Sequence, residues 1–214
     1  MTVGDFESRL RSRLEHVGLS AEPHFLRAAE RYYSLLGRWN ATTNLTALAL
    51  EDFPARTLDR LFVEPLQAAE LVEDSPLACV DVGSGGGSPA IPLKLARPSL
   101  CLTLVESVAK KTAFLREAVR ELGLVQTEVL TARIEEVVPR LRGADLVLIR
   151  GVRTDQPLAT ILAKLLKPGG RILRFGSASE RVPAGFREVE RRRLATGGEL
   201  LVLRADLEFE DVRT

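Results

Sequence analysis

The chain has 214 residues, 45% of them apolar and 28% charged, with a formal net charge of +1. That length suits one well-packed α/β domain with a helical segment attached and is short for two full-sized domains. The composition excludes a disordered chain, no apolar run reaches the roughly 20 residues of a membrane helix, and the near-neutral balance does not mark a nucleic-acid binder through its global field.

The first elements are helical. Phe6, Leu10 and Leu14, then Phe25, Ala28, Ala29, Tyr32, Tyr33, Leu35, Leu36 and Trp39, recur at steps of three and four, the rhythm of amphipathic helices, and residues 18–23 separate the two runs. A third such segment, about Pro54 to Glu70, places Leu58, Leu61, Phe62, Leu66 and Ala69 on one stripe. Residues 1–75 are therefore expected to form an N-terminal helical cap, with Trp39 packed on the apolar side of its helix. His16 and His24 both fall in this cap and read as surface or packing residues. The segment Met1–Glu7 lacks a basic-then-apolar pattern, so the expected compartment is the cytoplasm.

After Pro76 the texture changes. Ala78–Val82, Cys101–Glu106, Thr127–Leu130, Asp145–Arg150 and Arg171–Phe175 read as strands, and Ala90–Ala96, Lys110–Leu122, Ile134–Arg140 and Leu158–Leu166 as helices. Regular alternation of this kind predicts a mostly parallel sheet with helices on both faces, and it places any ligand at the carboxyl ends of the strands. The Thr196-Gly-Gly turn before Leu200–Ala205 predicts a closing antiparallel pair. Cys79 and Cys101 sit in apolar runs and are expected to be small core residues on neighbouring strands, with a disulfide or a nucleophile as the rarer alternatives. The 30 basic residues include only five lysines. Arginine clusters such as Arg9/Arg11/Arg13 and Arg191/Arg192/Arg193 fit phosphate contact and ion-paired surface equally well.

The strand ending at Asp81-Val82 runs into Gly83-Ser-Gly85-Gly-Gly87, then Pro89 and an apolar helix start. Glycines at a strand-to-helix turn let backbone approach a ligand closely and tolerate positive φ. An ordinary tight turn is one reading and a dinucleotide site another. The latter would want a third glycine where Ser88 stands, and the preceding Asp81 with alternate glycines suits a methyl-donor loop better. Glu106 closes the next strand 25 residues after Asp81, about the spacing at which a βαβ unit presents a carboxylate to ribose hydroxyls, with a solvent-exposed strand end as the alternative that the glycine loop disfavours. The Pro168-Gly-Gly turn links a helix to a strand.

At this point the chain resembles the bacterial glucose-inhibited division protein B methyltransferases. The resemblance runs from about residue 19 to 205 and rests on Leu36-Gly-Arg-Trp39-Asn40 with Asn44-Leu-Thr46, on Asp81 through Leu93, on Leu104-Val-Glu106-Ser107 with Lys110-Lys111 and Phe114-Leu115, and on Ala132-Arg-Ile-Glu135-Glu136. It implies a Rossmann-like class I fold with a seven-stranded, mostly parallel sheet over residues 76–214, forming one structural unit with the cap. It further implies S-adenosylmethionine as cofactor and methyl transfer to N7 of a guanine in small-subunit ribosomal RNA. Donor contacts are implied at Gly83, Ser88, Ile134, Glu135 and Arg150, with Glu106 at the ribose and Gly85 in the same loop. A monomer is expected, with no metal, membrane or DNA partner.

The chain departs from that family's usual pattern in four places. Ser88 and Ala90 stand where a large apolar residue and a glycine are usual. Arg56-Thr-Leu-Asp-Arg60 replaces a His-x-Leu-Asp-Ser element, Ile149-Arg-Gly151 replaces Ser-Arg-Ala, and Phe175-Gly176 replaces Lys-Gly. Guanine N7 already offers a lone pair, so no general base is assigned and positioning is the expected work of the site. Arg56, Arg60, Arg153 and Arg174, with Arg150, are the candidate acceptor-side residues, because guanidinium planes receive unstacked bases. A paralogue with another acceptor, a non-catalytic RNA or nucleoside scaffold, and a nicotinamide enzyme are the alternatives.

Overall fold

A computed structural model describes residues 3–177 and 181–206. The N-terminal segment expected as a cap begins with α1 (Val3–His16) and α2 (Pro23–Asn40). Pro23 opens α2, where its missing N–H leaves no donor unpaired. Phe6, Leu10 and Leu14 of α1 and the Phe25-to-Leu36 stripe of α2 are buried, as their spacing requires. The third segment is continuous but not uniform: α3 (Ala55–Leu58) passes through a π-helical turn (Asp59–Val63) into α4 (Glu64–Ala69). Arg13 of α1 holds that π turn through paired bonds to the two Asp59 carboxylate oxygens at 2.9 and 2.8 Å. Arg97 braces the other end, donating to the Ala69 and Val72 carbonyls at 2.6 Å each.

The strands are β1 (Ala78–Val82), β2 (Cys101–Glu106), β3 (Thr127–Thr131), β4 (Ala144–Arg150), β5 (Leu166–Gly176), β6 (Phe186–Arg193) and β7 (Glu199–Ala205). They form one sheet in the order β3-β2-β1-β4-β5-β7-β6. The first five run parallel, and β7 lies antiparallel between β5 and β6. Chain order reverses between β1 and β4, which opens a crevice at their carboxyl ends.

The connecting helices are α5 (Ala90–Ala96), α6 (Ala109–Glu121), α7 (Ile134–Leu141) and α8 (Gln156–Leu165). Alternate strand residues divide the interior. Cys79, Leu102, Leu104, Leu146, Leu148 and Leu173 join the cap, α5 and α6 in one core. Val80, Val82, Val147, Ile149 and Ile172 join α7 and α8 in another. Cys79 is buried and Cys101 half-buried, both free, on the neighbouring strands β1 and β2.

One expected turn is different. The Pro168-Gly-Gly segment lies within β5, where the register jumps from Ala144 opposite Leu166 to Leu146 opposite Arg171. The chain folds back so tightly there that a Cβ on Gly170 would sit 2.8 Å from the Ala144 carbonyl oxygen. No helix among the described residues is long and apolar enough to cross a membrane.

Candidate functional site

The crevice between β1 and β4 begins at Asp81, which is 1% exposed. Burial pushes its carboxyl up to about 7, against the Ser84 hydrogen bond and the Arg150 charge, which favour ionisation; Glu106 nearby adds to the rise. Its Oδ2 is buried and has no hydrogen-bond partner among the described residues. Above it the chain turns through Gly83 at φ +74°, where a Cβ would stand 2.6 Å from Val152. The Gly83 and Ser84 amides donate to the Val105 carbonyl at 2.9 and 3.0 Å, which ties the loop to β2. At Gly87, φ +88°, a Cβ would meet Ile91 at 2.5 Å.

Glu106 organises the same turn from the side. Its Oε2 accepts from the Gly85 amide and its Oε1 from the Val108 amide, both at 2.9 Å. The carboxylate therefore fixes both the glycine loop and the start of α6. Gly83, Glu106, Ile134 and Glu135 share one cleft of about 350 Å³, and Val152, Arg153 and Asp155 close its far wall.

Ser88 and Arg150 lie elsewhere. With Arg60 they line a smaller cavity of about 150 Å³ between the glycine loop and residues 45–48 of the cap. The Ser88 hydroxyl donates to the Leu61 carbonyl at 3.1 Å and accepts from Arg150 at 3.2 Å. The Arg150 guanidinium also donates to the Arg60 carbonyl at 2.6 Å, pairs with Glu64 at 2.6 Å and lies 4.2 Å over the Phe175 ring. Burial lowers its pKa to about 9, while the Glu64 carboxylate acts to keep it charged. Phe175, one of the departures from the family pattern, thus supplies an aromatic face to this arginine.

No sequence motif marks Glu64. It is fully buried, with Arg150 and Arg60 on one carboxylate oxygen and the Thr196 hydroxyl on the other. The only available signal is a carboxylate three residues after Leu61 at the edge of an apolar stripe. Tyr32 has the spacing of a core residue and does more: its buried hydroxyl donates to the Gly86 carbonyl, linking α2 to the glycine loop. Asn40 accepts from the Leu45 and Thr46 amides at 2.8 and 2.9 Å. That folds the 41–48 loop against Gly86, where a Cβ would be 3.2 Å from the Leu45 carbonyl oxygen. The Trp39-Asn40 and Asn44-Leu-Thr46 motif is thereby a loop clamp, with Trp39 half-buried and edge-on to Phe114.

The arginines expected on the acceptor side are placed unequally. Arg56 is exposed, Arg60 pairs with Glu64, and Arg153 is exposed at the cleft mouth. Arg174 is 3% exposed and donates to the Arg181 carbonyl at 2.9 Å.

The model of the family described as rRNA small subunit methyltransferase G matches residues 26–183. The chain belongs to this family. Among its relatives, the ribosomal RNA small subunit methyltransferase G of Roseiflexus sp. (strain RS-1) is 39% identical over 159 residues, 73% of this chain and 67% of that one. Those of Geobacillus thermodenitrificans and Aromatoleum aromaticum are 34% and 36% identical, over 90% and 88% of this chain and 81% and 92% of theirs. The fold is also that of solved structures, one of them a methyltransferase and another bound to S-adenosylmethionine. Mitomycin 7-O-methyltransferase MmcR gives a TM-score of 0.58 at 23% identity, over 86% of this chain and 69% of its own. A mutant of MtNAS in complex with S-adenosylmethionine gives 0.60 at 14%, over 93% and 77%.

The family's cofactor, S-adenosylmethionine, supplies a methyl group on a positively charged sulfonium. The residues present fit it. Glu106, Glu135 and Asp155 outnumber Arg133 and Arg153 around the cleft, and Asp81 lies beneath the loop with one oxygen unpartnered among the described residues, an acidic balance that suits a cationic ligand. Backbone at Gly83 approaches where any side chain would collide.

Proposed function

We propose that the chain transfers a methyl group from S-adenosylmethionine to N7 of a guanine in 16S ribosomal RNA. The observation that carries this reading is the cleft at the switch point, where a glycine turn and Glu106 meet the post-β4 segment in a chain of this family. Gly83 and Glu106 would hold the donor, with Ile134 and Glu135 along the nucleoside side. Ser88 and Arg150 act from the cap side of the loop, through the cavity they share with Arg60. N7 attacks through its own lone pair, so the residues of the cleft orient and exclude water and none has to remove a proton. A guanine in folded RNA must first be unstacked to reach such a site. Residues 1–75 serve as a helical cap on the donor loop, and the enzyme works in the cytoplasm as a monomer.

A second reading keeps the donor and changes the acceptor. It is favoured by Arg56 and Phe175, since both depart from the family pattern and the Phe175 ring is occupied by Arg150. Mass mapping of modified guanines in ribosomal RNA, with and without the gene, decides between them. Loss of one N7-methylguanine in the deletion strain is expected, together with transfer to naked or partly assembled small-subunit RNA that Gly83→Asp abolishes. An unchanged guanine pattern alongside intact donor binding would point to the second reading.

A further inference from the structure

A second cavity, of about 630 Å³, opens beside the donor cleft. Its walls are the 151–154 turn after β4, Arg174 and Phe175 at the end of β5, and Arg181. Val152 and Arg153 line both spaces, so one short stretch of chain divides them. Their charge balance differs. Glu106, Glu135 and Asp155 face Arg133 and Arg153 around the donor cleft, whereas three arginines border the second cavity and no carboxylate lines it among the described residues.

The arginines differ in what they are free to do. Arg174 is buried and its Nη1 holds the Arg181 carbonyl, which fixes where the chain returns to the sheet. Arg153 and Arg181 are exposed, and their side chains make no hydrogen bond or ion pair with any described residue. Thr154 also lines the cavity, and its buried Oγ1 is unpartnered among the described residues. Two exposed guanidinium groups at one cavity match a phosphodiester, which takes paired N–H donors on its oxygens.

We infer that this cavity is the acceptor-strand phosphate site, in which Arg153 and Arg181 grip an RNA phosphodiester flanking the target base. The inference rests on the RNA-methylating function proposed above and assigns the polyanion to one side of the 152–153 wall and the cationic donor to the other. Arg181 is the sharper probe, because it borders the acceptor cavity without bordering the donor cleft. Arg174 is a positioning residue acting through Arg181.

The test is binding of a short single-stranded RNA with an unpaired guanine, followed by fluorescence anisotropy over a range of salt concentrations. For each phosphate that a variant no longer neutralises, the slope of log affinity against log salt should shrink by about 0.7. Arg181→Ala and Arg153→Ala should each show that change, and the double variant about twice it, while Arg181→Ala leaves S-adenosylmethionine affinity and the thermal midpoint unaltered. Arg181→Lys should keep the slope. Unchanged slopes in both alanine variants, with RNA still methylated, overturn the site and leave the proposed function standing. Failure of the unaltered protein to bind or methylate RNA overturns both. Inorganic phosphate is the comparison probe, and saturable phosphate binding that Arg181→Ala removes without any strand binding also overturns the assignment to RNA.

Discussion

The Arg150 guanidinium of β4 and the Glu64 carboxylate of α4 meet at 2.6 Å, with side chains 8% and 0% exposed. The pair joins the sheet, at the end of β4, to α4. Taking one member away leaves the other charged and buried, and that is the expensive outcome: breaking a buried pair this way typically loses about 3–5 kcal/mol. Glu64→Ala is therefore expected to lower denaturant stability by about that much, and the thermal midpoint with it. Glu64→Ala with Arg150→Ala should lose clearly less than the sum of the two single changes, because the stranded charge is gone. Additive losses in that double-mutant cycle would mean that the two residues act independently.

The glycine loop allows a test in which two neighbouring positions differ in one respect. Gly83 and Gly85 both have positive φ, +74° and +52°. A methyl group on Gly83 would also collide with Val152 at 2.6 Å, whereas on Gly85 the nearest atom is 3.8 Å away. Gly85→Ala should lose only the left-handed backbone penalty, about 1–2 kcal/mol. Gly83→Ala should add displacement of Val152, and with it weaker S-adenosylmethionine binding, by roughly tenfold for each 1.4 kcal/mol that the displacement consumes. Isothermal titration of both variants checks the ranking, and equal donor affinities would contradict it.

Much of this architecture is legible in the sequence because its signals are local. The buried parallel strands Ala78–Val82 and Cys101–Glu106 announce themselves as short apolar runs, and the stripe from Phe25 to Leu36 has helical spacing. Gly83, Glu106, Ile134 and Glu135 follow from motif order and family resemblance, and they share one cleft. Long-range polar partners are not legible. Glu64 meets residues 86 and 132 positions away, and Tyr32 reaches Gly86 across 54. No periodicity encodes such a pairing, so a buried carboxylate reads as a polar interruption and a tyrosine as core. The Pro168-Gly-Gly segment misleads for a related reason: its turn chemistry is real, but the sheet ladder continues around it.

Tyr32 couples α2 to the glycine loop. Its hydroxyl donates to the Gly86 carbonyl from a fully buried position, and burial raises its pKa well above the ordinary phenol range. Tyr32→Phe keeps the ring contacts with Phe62 and Phe114 while leaving that carbonyl unpaired. Stability should fall by about 1–3 kcal/mol, the usual penalty for a buried group left unsatisfied. Donor affinity should weaken in parallel, because the loop loses its tether to α2. Urea denaturation and titration of the donor, performed on the same variant, separate the two effects. A stability loss with donor affinity untouched would show that the tether does not shape the loop.

Asp81 makes the ligand-free protein's stability depend on pH. Its carboxyl is held at about 7 in the folded state against an ordinary 3.8, chiefly by burial. Between those values the folded chain keeps a proton that the unfolded chain has released. This contribution to stability is complete below about pH 4 and is lost as pH rises through 7, the total being on the order of a few kcal/mol. Asp81→Asn cannot ionise and should remove that slope, becoming the more stable protein above pH 7. Donor binding should run the other way, because a cationic ligand favours the ionised carboxylate: S-adenosylmethionine affinity is expected to rise through pH 7 in the unaltered protein and to stay flat and weak in Asp81→Asn. Denaturation curves and donor titrations from pH 5 to 9 check both slopes. A donor affinity independent of pH in the unaltered protein would remove Asp81 from the binding field.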